Sequence, residues 1–223
     1  FVFAFSQVGT NCGLIGMNAA IEVDGAAYWM SENGFFRFTG KLESMQCLVE
    51  DYVYDDLNTT AQQLINCGLN NLFGEIYWFY PSNSSEIVNR MVSYNYLDSS
   101  PQRQIWVTSS LNRTTWSDSA VFGKPHGTEY TAGNDVSFDV VGNTEGRTAY
   151  FEHETGTDQV EAGSTTAIAA SVESGDYDIT VTKEGGATLQ GDGEFLMKIR
   201  RFLPDFISQT GNTQITLNLR DYP

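Results

Sequence analysis

Short apolar and aromatic runs alternate with turn residues along most of this chain, at a spacing that suits strands better than helices. Glu22-Val23-Asp24-Gly25 leads into Ala26-Ala27-Tyr28-Trp29-Met30. The polar turn Ser31-Glu32-Asn33-Gly34 then separates it from Phe35-Phe36-Arg37-Phe38, and Thr39-Gly40 closes the unit. Asn-Gly between aromatic runs predicts a hairpin, because both residues tolerate positive φ. A second hairpin is predicted from Glu75 to Tyr80, through the loop Pro81 to Glu86, to a return strand from Ile87 to Tyr96. In that return strand Val88, Arg90, Val92, Tyr94 and Tyr96 share one face, with Asn89, Met91, Ser93 and Asn95 on the other. Trp106-Val107, Arg113 to Trp116, Thr148 to His153 and Asp176 to Ile179 read as further short strands.

One helix is predicted inside this pattern. Asn58 is placed to cap Thr59 to Asn66, and Cys67-Gly68 to stop it with a glycine suited to the left-handed conformation. Leu57, Ala61, Leu64 and Ile65 would form its buried stripe. Short strands joined by hairpin turns, with one small helix, predict an all-β fold: propeller-like, a sandwich of antiparallel strands, or a barrel. The pattern changes near residue 160. Residues 1–160 are expected to hold the propeller-like blades and 161–223 a C-terminal strand layer, with acidic Glu152 to Glu161 as the hinge. In that layer Ala167 to Thr182 reads as extended, Lys183 to Gly193 as a glycine-rich loop, and Phe195 to Pro204 and Gln214 to Asp221 as apolar-alternating.

Composition narrows the function classes. The 223 residues carry 12 Lys and Arg against 28 Asp and Glu, a net charge of −16. Tight nucleic-acid binding needs cations that displace counterions from phosphates, so this surface is expected to repel DNA. The 14 Phe, 11 Tyr and 4 Trp suit packed sheets and interfaces. Cys12, Cys47 and Cys67 form no CxxC pair, which indicates neither a zinc site nor a disulfide framework. The sequons at Asn58, Asn83 and Asn112 match by pattern alone. No apolar stretch approaches the roughly 18 residues of a membrane span. The opening Phe1-Val2-Phe3-Ala4-Phe5 lacks the features of a signal peptide. Because the chain starts in apparent strand without an initiator Met, it is expected to be the later part of a longer protein.

Candidate chemistry is sparse. His126 follows Lys124-Pro125 and reads as a loop histidine. His153 lies in Glu152-His153-Glu154, where a metal site competes with a solvated strand end; alternation puts both glutamates on the face opposite the histidine. No nucleophile elbow, metalloprotease helix or phosphate-binding glycine loop occurs. Glycosidases need only two carboxylates, and Asp55-Asp56, Glu50-Asp51, Asp98 and Asp118 are available, but nothing singles out one pair. The run Tyr77-Trp78-Phe79-Tyr80 suits a buried strand, with sugar stacking as the alternative. No cofactor or metal is expected. Lys198-Ile199-Arg200-Arg201 is the one basic cluster; in a highly acidic oligomer it suits contact with a neighbour's acids, with DNA contact as the rival. Lys198, Arg200 and Arg201, together with Trp78 and Tyr80, are the candidate subunit-interface residues.

Tyr28 to Gly40, Val53-Tyr54-Asp55-Asp56-Leu57-Asn58 and Glu75 to Ser82, in that order, resemble the tail tubular, or nozzle and stabilisation, proteins of short-tailed bacteriophages. Tyr94-Asn95-Tyr96, Arg113 to Asp118, Val121 to Pro125, Tyr150 to Glu154, Ser174 to Asp178 and Arg200 to Phe206 extend the same resemblance over most of the chain. It implies a non-enzymatic virion component: a homohexameric tail ring, built around a propeller-like domain, below the portal and adaptor, with tail and adaptor proteins as neighbours. Through such a ring genomic DNA passes without tight binding. It also implies that this chain holds the later blades of a longer protein. Two other classes remain open: a tail module that binds or degrades glycans, and a cellular propeller-type binding protein.

Overall fold

The structure is a computed structural model that describes residues 3, 6–100, 103–118, 121–131, 147–161, 164–168, 170–173, 200–201, 203–205 and 212–218. It divides into two compact units, Phe1–Thr157 and Asp158–Pro223. The protein is all-β, and the described residues form antiparallel sheets and one short α-helix.

The first sheet is a meander of β1 (Ala20–Val23), β2 (Ala26–Ser31), β3 (Gly34–Phe38) and β4 (Leu42–Met45). Both turns flanking β2 follow from their residues. Asp24 and Gly25 take φ of 52° and 79°, the pair of left-handed residues that matches the twist of a two-residue hairpin. In the next turn only Gly34 has positive φ, at 112°, and Ser31 pairs directly with Gly34. The second sheet is another meander, β5 (Asn66–Asn70), β6 (Glu75–Tyr80), β7 (Arg90–Ser100) and β8 (Arg103–Ser109). The third orders β9 (Thr115–Ser117), β10 (His126–Thr131) and β11 (Arg147–Glu152) with β10 central.

Alternation along the second sheet feeds two cores. On β6, Ile76, Trp78 and Tyr80 join Val92 and Tyr94 in a large core closed by Tyr28, Met30, Phe35 and Met45 of the first sheet. Tyr77 and Phe79 face the other way, with Val88, Met91 and Leu111, against Trp116 of β9. The second sheet is therefore covered on both faces, which explains why β6 reads as a nearly unbroken apolar run rather than an alternating one.

Each of the four tryptophans also ties elements together through its indole N–H. Trp78 donates to the Ala19 carbonyl (3.0 Å) and Trp106 to Gln46 (3.0 Å), joining the first two sheets. Trp116 donates to Leu69 (2.8 Å), joining the third to the second, and Trp29 holds the N-terminal segment at Cys12 (2.7 Å). A buried indole that lost such a partner would leave an unpaired donor, so these bonds fix position as well as burial.

The predicted helix from Thr59 to Asn66 is not formed. Residues Gln62–Leu64 make a single 3-10 turn, and Asn66, Cys67 and Gly68 belong to β5. Asn58 does accept the Thr60 amide on its Oδ1 (2.9 Å), but its Nδ2 donates to the Ser85 carbonyl, anchoring a loop rather than starting a helix. Gly68 is required for closeness, since a Cβ there would lie 2.5 Å from the Trp116 ring. The real helix, α1 (Glu50–Asp55), places Val53 fully in the large core. At six residues its stability comes from that packing and not from propensity.

The first strands of the successive meanders are neighbours: β1 lies beside β5, and β5 beside β9. The lone bridge between Asn18 and Asn66 is parallel, so the first two run the same way. A closed propeller is not among the described residues. The second unit contributes the hairpin of β12 (Asp158–Glu161) and β13 (Ser164–Ala167). Residues 212–218 carry no regular secondary structure. The strand predicted over Asp176 to Ile179, the loop from Lys183 to Gly193 and most of Phe195 to Pro204 lie outside the described residues.

Candidate functional site

The predicted interface residues separate. Trp78 and Tyr80 are fully buried in the large core, and their candidacy for subunit contact is corrected: a side chain closed off by its own sheets has no surface to offer a neighbour. The core reading of Tyr77 to Tyr80 is the one the fold bears out. The pKa of the Tyr80 hydroxyl is raised by burial first and second by Asp56, which is itself paired with Arg90 (3.0 Å). Arg200 and Arg201 are exposed, and neither forms an ion pair with another described residue. Lys198 lies outside the described residues.

The candidate chemistry resolves into structure. His153 is no solvated strand end. Its Nε2 accepts the Nε–H of Arg113 (2.9 Å), its ring packs at a tilt against Trp116 (centroids 4.5 Å), and burial followed by the Arg113 charge lowers its pKa to about 4. An imidazole whose Nε2 is engaged by a guanidinium has no lone pair there for a metal. Arg113 is itself buried, paired with Glu129 (2.9 Å) and set over the Phe151 ring at 4.3 Å. His126 opens β10 instead of lying in a loop, stacked on Tyr150, met edge-on by Phe122 and hydrogen-bonded to the Tyr150 hydroxyl.

Of the acids considered for glycan hydrolysis, Asp56 is held by Arg90, and Asp118 accepts the Asn71 amide (2.6 Å). Tyr52, Asp55, Asp56 and Arg90 line one shallow notch. Among the described residues no group of three His, Cys, Asp or Glu could hold a metal ion, and no helix is long and apolar enough to cross a membrane.

A surface that the sequence did not single out forms at one end of the first unit. Because β1 and β5 run parallel, the turn after each emerges at the same end. Pairing of Glu75 with Asn95 brings Tyr96 and Leu97 of β7 to the β5–β6 turn, where the Tyr96 amide donates to the Gly74 carbonyl (2.8 Å). The Asn71–Asp118 bond adds the end of β9. There Leu72, Phe73 and Leu97 are all more than half exposed (57, 54 and 64%). Asp24 and Asp118 both act on the Tyr96 hydroxyl, whose pKa is raised first by burial and then by these two charges. Glu75 and Asp98 are further acids on the same strand ends, Glu75 accepting the Tyr77 hydroxyl (2.7 Å). An apolar centre in an acidic surround results. Its sequence signal was the apolar pair in Asn71-Leu72-Phe73-Gly74, at a hairpin tip where polar residues are usual. Assigning a helix to the residues before it hid β5, and with it the hairpin.

Compared with known proteins, the chain matches no family model and no curated protein.

Proposed function

We propose that this chain is a structural segment of a short viral tail, part of an oligomeric tube or nozzle through which genomic DNA is ejected. The observation that carries the reading is the ordered resemblance of its strand-and-turn signatures, from Tyr28 to Phe206, to tail tubular proteins. The topology supports it. Successive antiparallel meanders with their first strands side by side are how propeller blades are laid down, and a propeller-like domain is what the resemblance implies. The chemistry supports it as well. Of the acids and histidines weighed for catalysis, Asp56 is held by Arg90, Asp118 by a backbone amide and His153 by Arg113, and a net charge of −16 suits a wall along which phosphates slide.

The test is the size and symmetry of the assembled particle. Mass photometry with cryo-EM class averages is expected to show a ring of copies, six by the resemblance, around a central channel. A particle that stays monomeric at every concentration, with no ring in its parent particle, would sink the reading.

A further inference from the structure

The apolar, acid-surrounded end of the first unit has the character of an interface core inside a polar rim. Leu72 and Phe73 project from a turn whose Gly74 has φ of 66°, and a Cβ at position 74 would collide with Leu97. Leu97 thus packs over the turn backbone and makes the three apolar side chains one patch. Asp24, Glu75, Asp98 and Asp118 border it, and no cation of the described residues is paired with any of them. A partner that fits must bring apolar side chains flanked by positive charge.

The chain itself carries such a segment. Cations are scarce, at 12, and Arg37, Arg90, Arg113 and Lys124 are already committed to Glu43, Asp56, Glu129 and Glu152. Arg200 and Arg201 are exposed and followed by Leu203, which is 75% exposed. We propose that the Arg200–Leu203 segment of one copy docks on the Leu72–Phe73–Leu97 end of a second copy. Resting on the oligomeric reading above, this names the two surfaces that meet: a head-to-tail contact, which closes into a ring when the rotation between copies allows it. The arginines would face Asp24 and Asp98 in the rim, giving register and encounter rate, while Leu203 covers the apolar centre.

The experiment places a benzophenone amino acid at Phe73 in the full chain and irradiates an equal mixture of 14N- and 15N-labelled protein. Cross-links joining one light and one heavy peptide, mapping to residues 198–206, are the expected result. Cross-links confined to same-isotope pairs, or mapping elsewhere in an assembled ring, overturn the docking while leaving the ring reading intact. Absence of any assembly in the unmodified protein overturns both. As an independent arm, Arg200→Glu with Arg201→Glu is expected to raise the concentration for half-assembly at least about tenfold without moving the melting temperature. Adding Asp98→Arg to that variant is expected to recover part of the loss. Unchanged assembly in the charge-reversed protein contradicts the proposal.

Discussion

At single positions the structure turns on how little room is left beside a few rigid groups. Gly68 lies against the Trp116 indole, with ring atoms 2.5 and 2.6 Å from where a Cβ would sit. The indole is also held by its bond to Leu69, so it cannot swing away cheaply. Gly68→Ala is therefore expected to destabilise the protein by roughly 1–3 kcal/mol, the usual cost of overpacking a core. Urea unfolding of the two proteins measures it; an unchanged midpoint would show that Trp116 moves freely. His153 makes a second prediction. Its folded pKa of about 4 lies below the ordinary 6.5, so the unfolded chain takes up the proton first. Its contribution to stability is complete above the ordinary histidine range and is lost as pH falls toward 4. With its partial exposure allowed for, the loss is on the order of 2 kcal/mol. Unfolding free energies from pH 7 down to 4 should fall more steeply for the wild type than for His153→Gln. Parallel curves would remove His153 from the account.

Among the elements, the second sheet differs from its neighbours by having both faces covered. Residues of β6 and β7 enter both cores, whereas the first and third sheets each have one face directed away from it, with Trp29 and Phe36 stacked on the outside of the first (centroids 5.8 Å). Amide hydrogens of β6 and β7 are thus expected to exchange only through global unfolding, the slowest in the molecule, and those of β9 and β11 earlier. Hydrogen exchange read by mass spectrometry checks this, and equal rates across the sheets would contradict it. The hairpins of the first two sheets were legible because their turn residues and alternation agree. The helix was misplaced because Asn58 and the spacing of Ala61, Leu64 and Ile65 also satisfy a loop that drops two side chains, Ala61 and Ile65, into a core.

For the whole molecule, a charge of −16 makes compaction work against self-repulsion. Salt shortens the screening length from about 30 Å at 0.01 M to about 8 Å at 0.15 M. The melting temperature is expected to rise over that range, and the assembly concentration to fall. A fall in melting temperature with salt would mean that attractive surface pairs outweigh the repulsion. The same charge predicts no retardation of duplex DNA in a gel shift at physiological salt, which fits a conduit; a discrete shifted band would count against it.

Alternation and turn chemistry, both local, determined the all-β class, the positions of β2, β3 and β6, and the aromatic density that two cores require. They also placed Trp78 and Tyr80 in a strand, but did not decide which elements cover it. Only the packing of the first sheet on the second decided that these side chains are sealed in. Tertiary packing also decided that Cys67-Gly68 extends a strand, because Trp116 needs a neighbour without a side chain. It gave His153 a guanidinium partner 40 residues away in sequence. And it gathered Leu72, Phe73, Leu97 and the surrounding acids at one end, since which turns share an end depends on strand direction, a property of the assembled sheets and of no single segment.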